Sequence, residues 1–114
     1  MKRYFFHSAA FLALGLAAPL TASVNGFQLV NQTGAPLSSL ALKRVGGGEW
    51  TALGIAPAAG ARVRAPFENP DCAFDLRANV AGVGEVVWSG INLCDVKSVT
   101  LNRDRAGRAW VDYD

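Results

Sequence analysis

The chain is 114 residues long, 51% hydrophobic and 18% charged, with a formal net charge of +2. That is enough for one small domain and too little for a multidomain catalytic architecture, and the balance of apolar and charged residues excludes a disordered polyelectrolyte. With one histidine, one methionine and two cysteines, the side chains that most often carry catalysis or bind metals are scarce.

In chain order the first element is a leader. Lys2 and Arg3 supply a positive start and the uncharged stretch from Ala9 to Leu20 follows, the pattern of a secretory signal peptide over residues 1–23 with cleavage after Ala22 or Ser23. The apolar stretch is about 12 residues, short of the roughly 20 that a membrane-spanning helix needs, and Gly15 and Pro19 further disfavour a retained anchor. No cysteine lies near the cut to take a lipid, so the expected product is a single domain over residues 24–114, periplasmic or secreted and without a membrane anchor. Of eleven basic residues, Lys2 and Arg3 lie in the leader, which leaves nine bases against nine acids. A formally neutral domain makes no case for nucleic acid as a partner. His7 also lies in the leader, so the domain has no imidazole. That excludes Ser-His-Asp and Cys-His nucleophiles and histidine-ligated zinc or haem, and no cofactor is expected.

From Gly26 onward the dominant period is two, broken by Gly, Pro, Asn and Asp clusters every 8 to 12 residues or so, which signals an all-β domain. The front half reads as strands at Phe27 to Asn31, Leu37 to Val45, Trp50 to Leu53 and Ala61 to Phe67, separated by Thr33-Gly34-Ala35-Pro36, Gly46-Gly47-Gly48 and Gly54 to Gly60. Cys72 to Val80 follows as the clearest strand, with Cys72, Phe74, Leu76, Ala78 and Val80 on a core face and Ala73, Asp75, Arg77 and Asn79 on a wet one. On that wet face Asp75 and Arg77 are spaced for a solvated ion pair. A turn at Ala81 to Gly84 leads into Glu85 to Ser89, making a hairpin. A second hairpin joins Ser98 to Asn102 with Arg108 to Tyr113 through Asp104-Arg105-Ala106-Gly107, Asp104 opening a type I turn and Gly107 taking the left-handed position. The expected architecture is a small antiparallel β-sandwich, or a flattened barrel, of about seven or eight short strands.

Cys72 and Cys94 form an even pair in a small exported domain, the setting of a structural disulfide. Cys72 opens one hairpin strand and Cys94 follows its partner, so the antiparallel return brings both to one end. The spacing is not C-x-x-C, and two thiols are too few for a closed zinc site.

Little else carries chemistry. Gly46-Gly47-Gly48 and Gly82-Val83-Gly84 precede strands rather than helices and read as turns, not phosphate cradles. Asn31-Gln32-Thr33 matches a glycosylation acceptor but sits in a turn-forming Asn-x-Thr-Gly. Glu68, Asp71, Asp75 and Asp95 are the only candidates for an acid and base pair, and so small a domain has little room to build a cleft around them. The expectation is a protein that is not an enzyme. Trp50, Trp88 and Trp110 with Tyr113 are the candidate ligand or partner contacts, either as an aromatic platform or as core and lid. Arg103, Arg105 and Arg108 form a local basic cluster diluted by Asp104 and Asp112. The apolar loop Leu53 to Ala65, containing Ile55, Pro57, Ala58 and Ala59, would be a further partner contact through Ile55 if exposed.

The set Asn31-x-Thr33-Gly34, Trp50, Cys72-Ala73-Phe74-Asp75-Leu76-Arg77, Trp88 and Asn92-Leu93-Cys94 resembles a group of small exported bacterial proteins that carry C-x-[FW]-D-L-R followed by N-L-C. The resemblance covers essentially the whole domain and implies export to the periplasm or beyond; it brings no activity with it. In size and architecture the domain is also similar to periplasmic lysozyme inhibitors, but their Ser-Gly-x-x-Tyr loop is not reproduced, since Ser89-Gly90-Ile91-Asn92 runs into Leu93. The function expected is binding to an envelope protein or a glycan through loops at one end, the alternative being inhibition of a cell-wall-degrading enzyme such as lysozyme.

Overall fold

Strict alternation of apolar and polar residues makes one-sided strands, and one-sided strands bury their apolar faces by stacking two sheets. The computed structural model describes residues 22–114; the expected leader, apart from Ala22 and Ser23, lies outside the described residues. Eight strands form: β1 (Val24–Gln32), β2 (Leu37–Arg44), β3 (Thr51–Ala52), β4 (Arg62–Asn69), β5 (Ala73–Val80), β6 (Gly84–Asn92), β7 (Ser98–Arg103) and β8 (Ala109–Tyr113). They assemble into two four-stranded sheets, ordered β4-β1-β7-β8 and β3-β2-β5-β6. The architecture is therefore a sandwich and not a flattened barrel. All pairings are antiparallel except β1 with β7, which run parallel, Leu29 opposite Val99 and Gln32 opposite Asn102.

The expected strands all appear, with altered limits. β6 runs on past Ser89 to Asn92 because Gly90, in the left-handed conformation (φ 66°), makes a bulge that absorbs one residue before Ile91 pairs with Phe74. β3 shrinks to Thr51–Ala52, and Cys72 stands just before β5 instead of opening it. The core faces are as the alternation predicts: Phe74, Leu76, Ala78 and Val80 of β5 are buried, as are Phe27, Leu29, Val99 and Leu101 of the facing sheet. Phe67 of β4 and Phe74 of β5 meet edge to face across the interior, ring centroids 5.2 Å apart.

Each end of the interior is sealed by a different device. At one end Cys72 and Cys94 form a disulfide, with Cα atoms 5.1 Å apart, and the Leu93 N–H donates to the Cys72 carbonyl beside it. At the other end stands Asn31, 0% exposed. Its Nδ2 donates to the carbonyls of Ala35 (2.8 Å), Pro57 (3.2 Å) and Ala58 (3.0 Å), while its Oδ1 accepts from the backbone N–H (3.1 Å) and hydroxyl (2.6 Å) of Thr33. The backbone joins in, Asn31 donating to Ala61 O and accepting from Gly60 N. The loop that the sequence left as a potential sticky segment is consequently drawn inward, with Leu53 and Pro57 buried and Ile55 half-buried against the core. Asn31-Gln32-Thr33 is the local turn that its sequence predicts, with the Asn31 and Thr33 side chains bonded to nearby backbone, and in the folded domain the enclosed Asn31 amide is not presented to a modifying enzyme.

Two stability predictions follow from these seals. Asn31→Ala removes the donor from three carbonyls at a buried site and should cost ~2–4 kcal/mol in urea unfolding. Asn31→Asp should cost more at neutral pH, because a carboxylate would face those same carbonyls, and recover part of the loss on acidification; equal loss at both pH values would contradict the assigned donor role. Reducing the disulfide, which spans a sequence separation of 22, should lower unfolding free energy by about 3 kcal/mol through loop entropy, read as a lowered denaturation midpoint with and without reductant.

Candidate surface for ligand contact

The aromatic residues do not form one platform. Trp88 points into the interior, 2% exposed, where its Nε1 donates to the Asn102 carbonyl at 3.0 Å and ties β6 to the opposite sheet. Trp50 is half-buried on the outer face of the β3-β2-β5-β6 sheet, with the Arg77 guanidinium 4.4 Å and the Lys43 ammonium 5.3 Å from its ring centroid. The expected Asp75 to Arg77 ion pair is absent: Arg77 stacks on Trp50, and Asp75 instead accepts from the Gly90 N–H at the bulge, 2.9 Å away. Ile55 packs against the core. Trp110 and Tyr113 are each almost half exposed, but their odd spacing puts them on opposite faces of β8. The Tyr113 hydroxyl accepts from the Asn92 N–H at 3.0 Å, bridging the two sheets at their shared margin.

Trp110 is thus left alone on the outer face of the β4-β1-β7-β8 sheet, and the register identifies its neighbours. Asn102 of β7 lies directly opposite it, with Gln32 of β1 beyond; Asp112 shares its face and lies opposite Thr100, with Val30 and then Arg62 further across. The Asn102 Nδ2 donates to Asp112 Oδ2 at 2.9 Å, which fixes an amide and a carboxylate side by side next to the indole. Sequence reading picked out Trp110 but missed Gln32, Thr100, Asn102 and Asp112. Their signal was only alternation on separate strands, and the parallel β1–β7 pairing that aligns them is non-local.

The basic cluster resolves into a structured turn. The Gly107 N–H donates to the Asp104 carbonyl at 3.1 Å with Gly107 left-handed (φ 89°), the turn expected for this loop. Asp104 accepts from the Arg108 backbone N–H at 2.9 Å and pairs with the Arg108 Nε at 2.7 Å. Arg108, Ala109 and Trp110 line one shared surface depression. Of the remaining acids, Asp71 pairs with Arg44 at 3.2 Å and Asp75 is held at the bulge. Among the described residues no three of His, Cys, Asp and Glu converge as a metal site. What this surface offers chemically is an aromatic face, amides, a hydroxyl and a carboxylate on one side of a sheet.

Asp104 makes the turn testable. The Arg108 backbone N–H, helped by its guanidinium, holds the carboxyl below the ordinary aspartate range. A folded pKa below the unfolded one means that the contribution is complete above ~3.9 and is lost as pH falls through the lowered value. Carboxyl-detected NMR titration should therefore find the Asp104 midpoint below that of the denatured chain; a midpoint at or above it would contradict this turn. Set beside protein-family models, curated proteins and solved structures, the chain matches none of them, so the surface around Trp110 is defined by its own geometry.

Proposed function

We propose that this is an exported, non-enzymatic binding domain, periplasmic or secreted, that takes a glycan on the outer face of the β4-β1-β7-β8 sheet. Export is supported by the leader pattern and by the Cys72–Cys94 disulfide, a bond that persists in oxidising compartments. One observation carries the ligand class: Trp110, 45% exposed, stands beside the hydrogen-bonded pair Asn102 and Asp112. A pyranose presents a C–H-rich face that complements the negative π face of an indole, and hydroxyls around its rim that pair with amide and carboxylate. The working surface is therefore a sheet face, in place of the loops at one end that the sequence suggested. Strands hold such groups more rigidly than loops do, which reduces the entropy lost on binding.

The test is a titration of the purified protein with a panel of oligosaccharides, followed by NMR and calorimetry. Binding should perturb the Trp110 indole resonance. Trp110→Ala should weaken it at least tenfold, about 1.4 kcal/mol, while the domain stays folded with only a modest fall in melting temperature, since the ring is almost half exposed. Failure of every oligosaccharide to bind would overturn the reading. So would inhibition of lysozyme by the protein with no effect of Trp110→Ala, which would favour the inhibitor alternative.

A further inference from the structure

The same outer face ends, at its far edge, in two guanidinium groups without acidic partners. Arg62 pairs with Val30 and Arg64 with Gln28, so both side chains leave β4 on the side that carries Trp110 and Asn102. Both are exposed, and neither forms an ion pair among the described residues; Arg64 makes only a 3.4 Å contact to the Asn25 carbonyl. On the opposite margin Arg108 is paired with Asp104, and Asp112 keeps its negative charge while accepting a hydrogen bond from the neutral Asn102 amide. The face is thus polarised along one direction, from an aromatic margin at β8 that carries Asp112 to a margin at β4 where Arg62 and Arg64 outnumber the one acid on that side of the strand, Glu68, four residues beyond Arg64.

The distance between the margins sets the kind of ligand that feels both. β4 and β8 are the outer strands of a four-stranded sheet, so three strand spacings separate them, about 14 Å. That exceeds the reach of one monosaccharide and falls within the length of a tetrasaccharide. Between the margins the strands present Thr100, Gln28 and Gln32, side chains that exchange hydrogen bonds with hydroxyls and add no charge.

We infer that the ligand is an acidic oligosaccharide laid across the strands, a neutral ring stacked on Trp110 and a sugar carboxylate on Arg62 and Arg64. This rests on the glycan reading above and adds the charge, the direction and the minimum length. A planar guanidinium fork matches a carboxylate in two-point geometry, and two forks on alternate residues of one strand reach neighbouring oxygens of the same chain. An acidic peptide would satisfy the arginines but would leave the indole beside Asn102 and Asp112 without a ring to stack on.

The experiment titrates the purified protein with an acidic tetrasaccharide of three neutral xyloses and one glucuronic acid and with the same oligosaccharide after carboxyl reduction, and repeats both with the monosaccharides glucuronic acid and glucose. The acidic tetramer should bind at least tenfold more tightly than the reduced one, and both monosaccharides should bind more weakly than the acidic tetramer because neither can engage the two margins at once. Arg62→Gln with Arg64→Gln should abolish the preference while sparing the reduced tetramer. Arg105→Gln, which removes an equal kind of charge from the exposed turn, should leave the preference intact. Equal binding of the acidic and reduced tetramers overturns the acid preference and leaves the glycan reading standing; binding of neither overturns both. A preference that survives loss of both arginines, or tighter binding of pentaglutamate than of the sugar acid, also overturns the proposal.

Discussion

Two sheets stacked face to face share no backbone ladder, so a domain this small depends on how both open ends of its apolar interior are sealed. Asn31 is the seal on which the rest depends. It satisfies three carbonyls from two separate segments while its own oxygen is taken up by Thr33, so a fully buried amide has no unmet donor or acceptor. The long segment between β3 and β4 has no regular structure of its own; this side chain fixes it at Pro57 and Ala58, and backbone hydrogen bonds from Leu37 to Pro57, between Leu53 and Leu40, and between Asn31 and Gly60 and Ala61 hold the rest. The disulfide does the corresponding work at the opposite end by covalent means, joining the start of β5 to the chain beyond β6.

With both ends sealed from within, the outer faces are free to differ, and they do. On the β3-β2-β5-β6 sheet the functional groups answer one another: Arg77 and Lys43 lie over Trp50, and Asp75 is consumed by the Gly90 bulge. On the β4-β1-β7-β8 sheet, among the described residues, no cation stacks on Trp110 and neither Arg62 nor Arg64 forms an ion pair. Unspent bonding capacity on a rigid, flat layer is a reason to look for a ligand there. The contrast also explains why three tryptophans in one small domain have three different settings: Trp88 ties the sheets together, Trp50 lies under two cations, and Trp110 stands almost half exposed on the other outer face.

How far the sequence determined this protein can be seen strand by strand. Local pattern was sufficient wherever the information was local. Turn clusters and a period of two located the eight strands, less regularly in the front half; the core face of β5 was legible from Phe74 to Val80, and Asp104 to Gly107 specified its own turn. The two cysteines, flanking a hairpin, announced their bond. These hold because side-chain alternation and turn preferences act over a few residues, where sequence neighbours are also spatial neighbours. What only the tertiary structure decided was register between distant strands and the direction of each exposed group. The parallel pairing of β1 with β7 aligns Gln32, Asn102 and Trp110, and nothing local to any of them encodes it. Arg77 had a nearer acid in sequence and stacked on Trp50, because folding brought β3 alongside β2 and set the ring over that face. Composition could count the aromatic and charged residues, but their partners were set by packing between segments far apart in the chain, and packing is a property of the folded whole.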